Sequence, residues 1–421
     1  EYFALLDGKR SGPNLCTANE EVVRVAAATA LEWMERSPLR VICVSPPDGG
    51  GFWCECDLCK QRYPEGESNN SDRVSDFANR VGEIVLKEYP ETYITYYIYA
   101  EYVDPPKRYL PREFVMGWFT LWGTTGMTNH APFTADPNKR ARDLFEANAG
   151  LYTTMGIHPY YGHYHWFTPW PMMRHIAADM PYWHDRKVKL FYSETHTNWA
   201  TQWWNFYLMY RYAWDVTTEL ETVRTEFYRD FCGKAGDAIR RYDDLIDDAF
   251  ASEGHIVGTH GEDRRRYTPE VLETAGEFME EAKREAEAEG PPYVERIAFL
   301  EKGYIITRLW CSAQHELDAF GRGREPERKR RAVDRMQQLV AFLNRPENTG
   351  MVETHNLNFT NVVEEKIAAV EGGTAFPPGA FHYHDGLDGG GKALFHAATV
   401  DGMVPGTYGW VLRKGASGRI E

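Results

Sequence analysis

The sequence predicts an α/β protein with a (β/α)8 barrel of the TIM type, and two observations support this prediction. Between about residues 41 and 192, five short β-rich segments alternate with segments of helical periodicity, a pattern typical of parallel strands joined by helices. Each β-rich segment ends in polar and aromatic residues, as barrel strands do where they face a site. A doubly wound dinucleotide fold is disfavoured, because no glycine-rich phosphate loop opens a helix after these strands.

The first predicted helix begins near Thr17 and continues to about Arg36. Thr17 and Glu20 have the spacing of a capping box, in which a hydroxyl and a carboxylate bind free N–H groups at a helix start. Pro38 prevents further extension. The residues expected to face the core recur at helical spacing: Val22, Val25, Ala26, Ala30 and Trp33.

The five predicted strands follow, with helices between them. The run from Val41 to Val44 is continuously apolar, as in a strand buried on both faces. A helix capped by Ser71 comes next. The later strands are expected at 93–100, 114–119, 151–157 and 188–192, and two further helices at 136–149 and 171–184.

Changes in composition divide the chain into three regions. Residues 1–215 form the predicted barrel portion, residues 216–345 are charged helical sequence, and residues 375–421 suggest a partial β-rich module. The chain begins without Met and stops abruptly. We therefore expect both ends to be cut and the first barrel strands to lie upstream.

The overall charge and the aromatic content indicate the class of partner. A formal net charge of −15 argues against nucleic acid and anionic membranes, because both require a basic face. No run of about 18 apolar residues is present, so no membrane insertion is expected. Aromatic residues make up 14% of the chain, and many follow strands. This placement suits stacking on sugar rings, although aromatic cores are the commoner use.

Three acids stand at the predicted strand ends and are the candidate catalytic residues: Asp48, Glu101 and Glu194. Glycosidic bonds are usually cleaved by two carboxyl groups, one protonating the leaving oxygen and the other acting as nucleophile or base. An acid in this position can equally form a salt bridge or cap the next helix. The predicted substrate-binding residues are Trp53, Trp122, His158, Tyr160, His163, Trp166, His196, Asn198 and Trp199. Packing beneath a loop is the alternative for each aromatic residue.

The histidines after the fourth strand give a further alternative. His158, His163 and His165 can be interpreted as a catalytic metal cluster, but their spacing matches no metalloenzyme signature. Structural or solvent-facing histidines are therefore favoured, and no cofactor is expected for catalysis.

Four of the seven cysteines form a separate group: Cys16, Cys54, Cys56 and Cys59. Four thiolates complete the tetrahedral shell that structural zinc prefers. Two disulfides are equally allowed if the protein is exported. A redox role is less consistent, because no helix start follows to lower a thiol pKa. The remaining Cys43, Cys232 and Cys311 lie in apolar contexts and are expected to be buried.

Several motifs resemble a known bacterial family over about residues 1–250. They are Glu1 to Leu5, Asp7 to Arg10, Leu15-Cys16 and the stretch from Ser45 to Cys59 with its Asp-Gly and CxCxxC. Glu194 before Asn198-Trp199, and Tyr212 to Asp215, add support. The family is catalogued as a domain of unknown function (the 4838 type), and its members resemble α-glucuronidases and β-hexosaminidases in having a (β/α)8 barrel.

The resemblance implies an exported, polysaccharide-active enzyme. Asp48 and Glu194 match acids typical of the family, Tyr160 matches its aromatic loop, and Glu101 has no counterpart there. We therefore expect a glycoside hydrolase that uses Glu194 as general acid or nucleophile and Asp48 as its partner. The alternatives are a carbohydrate-binding barrel without catalysis and a zinc-dependent hydrolase.

Overall fold

The structure is a computed structural model. It describes residues 2–48, 51–121, 131–162, 166–195, 197–252, 263–352 and 359–372, together with four short strands after residue 399. The chain divides into two compact units. The first comprises residues 1–127, 131–160 and 178–193, and the second comprises residues 128–130, 161–177 and 194–421.

The first unit opens with an antiparallel hairpin of β1 (Phe3–Leu6) and β2 (Lys9–Leu15). The turn residues Asp7 and Gly8 both have positive φ, at 47° and 77°. Two-residue hairpin turns often need this backbone, and Asp-Gly is one of their strongest sequence signals. The hairpin is absent from the predicted elements although its turn signal is present in the sequence.

The centre of the first unit is a five-stranded sheet in which every neighbouring pair is parallel. Its strands, in spatial order, are β3 (Val41–Cys43), β4 (Tyr93–Ile98), β5 (Val115–Thr120), β6 (Met155–His158) and β7 (Val188–Phe191).

The spatial order of these strands is also their chain order. A doubly wound sheet reverses its order at a switch point, and this sheet does not. Successive right-handed crossovers between adjacent strands place their helices on one face. The prediction of an α/β protein with parallel strands is thus confirmed, with five described strands where a complete TIM barrel has eight.

The helices predicted before and between these strands are present. A short helix also starts inside the cysteine motif with Cys56 as its N-cap, so the expectation that no helix start follows there was wrong. In chain order they are α1 (Glu20–Arg36), α2 (Asp57–Arg62), α3 (Asn70–Val85), α4 (Lys139–Ala149) and α5 (Met173–Asp185).

One face of the sheet is buried against aromatic side chains. The Tyr96 hydroxyl hydrogen-bonds the Tyr152 hydroxyl at 2.7 Å, and the Phe119 ring meets the edge of Phe145 on α4 at 5.3 Å between centroids. All four side chains are buried. Because side chains alternate along a strand, Tyr97 and Trp118 lie on the opposite face.

The first helix and strand differ in detail from the prediction. Asn19, not Thr17, caps α1, because its side chain accepts a hydrogen bond from the Glu21 N–H at 2.9 Å. Trp33, predicted to face the core, is 67% exposed, whereas the adjacent Met34 is buried. The buried face therefore lies about one residue further along the helix than predicted, through Val22, Val23, Ala27, Ala30 and Met34.

Strand β3 is not buried on both faces as predicted. It pairs only with β4 in the described sheet, so it is an edge strand. Val41 is 39% exposed, and Cys43, also predicted to be buried, is exposed. Cys232 and Cys311 are buried, as predicted. An apolar run identifies a strand but not whether both its edges are covered.

The second unit is helical over most of its described residues. Its helices are α6 (Trp199–Trp214), α7 (Leu220–Asp230), α8 (Gly236–Ser252), α9 (Asp263–Arg266), α10 (Pro269–Glu287), α11 (Pro291–Gly323), α12 (Pro326–Leu343) and α13 (Phe359–Glu371).

Close approach of backbones and stacked rings hold this unit together. A Cβ added at Gly303 on α11 would lie 2.1 Å from the carbonyl oxygen of Ala200 on α6, so only glycine fits this crossing. The Phe359 ring of α13 stacks on Phe167 at 3.8 Å between centroids. Thr268 caps α10 ahead of its first-turn proline, where the missing N–H of proline costs no hydrogen bond.

The region predicted as a β-rich module lies largely outside the described residues. Its described parts form two antiparallel pairs, β8 (Val400–Asp401) with β11 (Arg419–Ile420), and β9 (Met403–Gly406) with β10 (Gly409–Leu412). The predicted regions 1–215, 216–345 and 375–421 stay predictions.

No helix in the described ranges combines the length and the apolar composition that crossing a bilayer requires.

Asp72 organises the start of α3. It completes a capping box with Asn69, each side chain accepting from the other residue's backbone N–H. Its Oδ1 also accepts from the N–H groups of Arg108 and Tyr109, at 2.6 and 2.8 Å. Ser71, the predicted cap, instead donates to the Asp104 carbonyl at 2.5 Å.

Replacing Asp72 by Ala should lower the free energy of unfolding by about 3 kcal/mol, because one buried carboxylate serves both the helix cap and a neighbouring loop. Denaturant unfolding measures the change. The control is Glu67→Ala, which removes only an exposed ion pair with the Arg108 side chain and should cost under about 1 kcal/mol. Equal losses in the two variants would contradict this role of Asp72.

Asp243 on α8 is a buried acid of the second unit. Its Oδ2 accepts from the Trp204 Nε1–H at 2.8 Å and from the Tyr228 hydroxyl at 3.0 Å. Burial raises the pKa of Asp243 to about 7 despite these hydrogen bonds. The folded state therefore holds this proton more tightly than the unfolded chain, and the associated stability is lost as the pH rises towards 7.

An Asp243→Asn variant should consequently lose less stability than the wild type between pH 5 and pH 7.5. The amide oxygen still accepts both hydrogen bonds but never ionises, so the variant should gain about 2 kcal/mol relative to the wild type over this interval. Denaturant unfolding at the two pH values measures the difference. A constant difference between the two proteins would show that Asp243 does not titrate in this range.

Candidate functional site

The carboxyl end of β3 carries Asp48 in an exposed loop. Ser45, at the start of this loop, accepts a hydrogen bond from the Tyr97 N–H at 2.8 Å, which continues the pairing of β3 with β4. Burial raises the pKa of the Tyr102 phenol, and the charges of Tyr99 and Asp48 raise it further. Asp48 therefore lies within electrostatic range of Tyr102, beside the end of β4.

Glu101 follows β4 and fastens the same loop. Ala100, with φ at 49°, turns the chain after the strand. Glu101 Oε2 then accepts from the Gly51 N–H at 2.8 Å and from Trp53 Nε1–H at 2.6 Å. These contacts join the loop after β3 to the end of β4, so they indicate that Glu101 positions the Asp48 loop.

Glu194 and two predicted substrate-binding residues follow β7. Glu194 is half-buried and belongs to the second unit. Asn198 is fully buried at the start of α6, where its carbonyl accepts from the Gln202 N–H at 2.9 Å. Trp199 remains 42% exposed and meets the edge of Phe206 at 4.7 Å. Asn198 is thus buried inside the protein, whereas the ring of Trp199 is accessible to solvent.

An aromatic cluster lies at the carboxyl ends of the strands in the first unit. The His158 ring stacks on Tyr160 at 4.8 Å, and its centroid lies 4.7 Å from Tyr192 and 5.6 Å from Tyr97. His158 and Tyr160 are mostly buried, and Tyr192 is 50% exposed. Together with Trp118 these residues are called the aromatic face below.

Trp118 owes its place on the aromatic face to a glycine on the next strand. Trp118 and Gly156 are partners in the β5–β6 register, and Tyr97 is the partner of Trp118 in the β4–β5 register. A Cβ added to Gly156 would lie 2.4 Å from Trp118 Cε3, so the indole lies over the glycine. The half-buried indole therefore lies flat against the sheet as a platform.

Trp166, predicted to contact substrate, is part of the core of the second unit. It is 3% exposed and stacks on Trp170 at 4.6 Å with nearly parallel planes. Gln202 on α6 donates to the Trp166 carbonyl at 3.2 Å, and Asn205 donates to the Trp170 carbonyl at 2.8 Å. The surroundings of Trp166 thus match the alternative given for each aromatic residue, which is packing beneath a loop instead of contact with substrate.

Three of the predicted substrate-binding residues lie outside the described residues: Trp122, His163 and His196. His165, part of the alternative histidine cluster, lies outside them as well. Among the described residues, the groups that have the spacing of metal ligands are confined to the cysteines.

The four clustered cysteines come from three segments of the chain. Cys16 directly follows β2, Cys54 and Cys56 lie in the loop between β3 and α2, and Cys59 lies in α2. The sulfur atoms of Cys16, Cys54, Cys56 and Cys59 all lie within 4.8 Å of one another. All four are buried and none is in a disulfide. The Cys16 sulfur lies 3.5 Å from that of Cys56 and 3.7 Å from that of Cys59.

Sequence reasoning missed three residues of the aromatic face: Tyr97, Trp118 and Tyr192. The first two lie within strands, where the apolar pattern assigns them to a core. The available signal was their alternation with Tyr96 and Phe119, which places them on the other face of the sheet.

The fold and these groups define an α/β protein that displays acids and aromatic rings where parallel strands end. The model of the family Domain of unknown function (DUF4838) matches residues 1–244, more than half of the chain. The chain therefore belongs to this family, which confirms the resemblance found in the sequence.

The other two comparisons concern individual proteins. No curated protein matches the chain. Among solved structures, the chain is similar to a GH138 enzyme targeting pectin rhamnogalacturonan II, with 9% identity and a TM-score of 0.48. The match covers 84% of this chain and 65% of that enzyme, so the chain spans less than two thirds of its length.

Substituting Gly156 by Ala should displace Trp118 and lower the free energy of unfolding by about 1–3 kcal/mol, because the new methyl group overlaps the indole. The matched control is Gly150→Ala after α4, where an added Cβ meets no atom within 4 Å and φ is negative. Denaturant unfolding and near-ultraviolet circular dichroism should change for the first variant only. A tolerated Gly156→Ala would contradict the flat position of Trp118.

Proposed function

We propose that this protein is a glycoside hydrolase acting on a poly- or oligosaccharide, with Asp48 and Glu194 as its catalytic carboxyl groups. The observation that carries the proposal is the aromatic face, which stands at the strand ends of the first unit beside the loop of Asp48. In parallel α/β proteins these ends are the usual place of the active site.

The aromatic face supports a sugar as the ligand. A pyranose ring presents flat apolar patches edged by hydroxyl groups, and aromatic rings with polar edges complement both. Trp118 and Tyr192 keep part of their surface accessible, while His158 and Tyr160 pack behind them. The net charge of −15 disfavours a polyanionic substrate bound through a basic surface.

The two acids have complementary roles in this proposal. Glu194 transfers a proton to the leaving glycosidic oxygen or attacks the anomeric carbon, and Asp48 serves as the partner carboxylate. The exposure of Asp48 suits a carboxylate that must meet substrate or water. Glu101 acts as a positioning residue, because its hydrogen bonds to Gly51 and Trp53 hold the loop that carries Asp48.

The proposal includes a closed (β/α)8 barrel and an exported location. The barrel is supported by the sequential order of the parallel strands, which is the order of a barrel wall. The exported location is supported by the family resemblance.

Alanine at Asp48 or Glu194 should reduce kcat on the responsive glycan by at least ~10²-fold while leaving folding intact, because each removes acid–base or nucleophilic assistance. A panel of aryl glycosides and polysaccharides identifies that glycan. The control is Glu91→Ala, an exposed acid just before the amino-terminal end of β4, opposite the carboxyl ends of the strands. Full activity of both site variants would refute the catalytic assignment.

A pair of variants separates the positioning role of Glu101 from a catalytic one. Glu101→Gln keeps an oxygen that can accept from Gly51 and Trp53, so it should retain most activity, whereas Glu101→Ala should lose it. Equal losses in the two variants would indicate that Glu101 itself takes part in the chemistry. Saturable glycan binding without any turnover in the wild type would instead support a non-catalytic carbohydrate-binding protein.

A further inference from the structure

We propose that Cys16, Cys54, Cys56 and Cys59 bind one structural zinc ion that fixes the N-terminal hairpin to the loop carrying Trp53. This metal site is separate from the proposed catalytic groups, and it is the first of the two alternatives that the sequence left open for these cysteines.

The spacing of the sulfur atoms fits a tetrahedral metal shell. A zinc–sulfur bond of about 2.3 Å implies sulfur atoms about 3.8 Å apart at the corners of a regular tetrahedron. The Cys16 sulfur lies 3.5 and 3.7 Å from those of Cys56 and Cys59, and all four lie within 4.8 Å of one another. Cys16 is thus nearly equidistant from two partners, whereas a disulfide requires one exclusive partner.

A backbone N–H group and a cationic side chain lie close to the cluster. The Leu5 N–H donates to the Cys54 sulfur at 3.2 Å, and the guanidinium of Arg10 lies within electrostatic range of Cys16 and Cys56. Four thiolates with one Zn²⁺ carry a formal charge of roughly −2, which such donors partly offset. Metal-binding side chains commonly interact with hydrogen-bond partners of this kind.

The cluster is also where separate segments of chain meet. The four cysteines form a buried core with Ala4 of β1 and Tyr63. The Glu55 N–H donates to the Leu5 carbonyl at 2.9 Å, and the Cys16 N–H donates to the Tyr2 carbonyl at 2.8 Å. Binding zinc here releases the thiol protons and closes the chain between Cys16 and Cys59, which stabilises the folded state.

One peptide bond connects the proposed zinc site to the residue that holds the Asp48 loop. Trp53, which donates to Glu101, directly precedes Cys54. The metal would therefore anchor one end of the loop whose other end carries Asp48.

Protein purified without chelators should contain about one zinc ion per chain by elemental analysis. All seven cysteines should react with a thiol reagent under denaturing, non-reducing conditions. Protein that is unfolded with a chelator to remove the metal and then refolded should have a lower thermal midpoint, and added zinc should restore that midpoint. Cobalt substitution should give the charge-transfer and intense visible bands of a tetrahedral tetrathiolate site.

Cys56→Ser and Cys59→Ser should reduce zinc content at least ~10-fold. Cys43→Ser is the matched control, because Cys43 is an exposed cysteine outside the cluster and should leave zinc unchanged. If the cluster variants do not fold, the metal content and thiol count of the wild type still decide. Disulfides that block the four cysteines, iron in place of zinc, or seven reactive thiols without metal would each overturn the proposal.

Discussion

The two-residue period of the parallel strands is the constraint on which the rest of the first unit depends. Because side chains alternate across a sheet, Tyr96 and Phe119 face one side, where they pack with Tyr152 and Phe145. Their neighbours Tyr97 and Trp118 must then face the other side. The same alternation that builds the core thus sets apart an aromatic face.

Loops around the sheet are held by single polar side chains that bind backbone groups of distant segments. Asp72 accepts from Arg108 and Tyr109, and Asp179 on α5 accepts from the Phe133 N–H at 3.0 Å. Glu101 does the same for the loop after β3. Each contact satisfies N–H groups that a loop leaves unpaired, and therefore fixes loops without lengthening the regular structure.

The cysteine cluster attaches the N-terminal hairpin and one end of the segment that carries Asp48 and Trp53. The hairpin of β1 and β2 is too small to be stable alone, and its attachment passes through Cys16 and the segment from Cys54 to Cys59. The segment between that cluster and β3 carries Asp48 and Trp53. Its two ends are therefore joined to elements of fixed position, one to the sheet and one to the cluster.

Local chemistry was sufficient to predict the alternation of strands and helices and the five parallel strands, and the resemblance of several motifs identified the family to which the chain belongs. Sequential neighbours in a βα pattern pair in parallel for reasons of chain connectivity, so periodicity alone points to them. The Asp7-Gly8 turn carried an equally local signal for the hairpin. The exposure of Val41 and the burial of Trp166 could not be predicted, because the identity of an apolar or aromatic residue does not indicate which other residues cover it.

Only the tertiary structure decided which side chains meet. Tyr97 and His158 lie in two strands and Tyr192 directly follows a third, and their rings approach only because the register of the sheet brings those strand ends together. Glu101 was predicted as a catalytic acid, and its contacts to Gly51 and Trp53 depend on the paths of two loops. The sequence by itself determined the elements and their chemical inventory, because periodicity and turn chemistry are local. Contacts between distant residues depend on packing and register, which the folded chain alone defines.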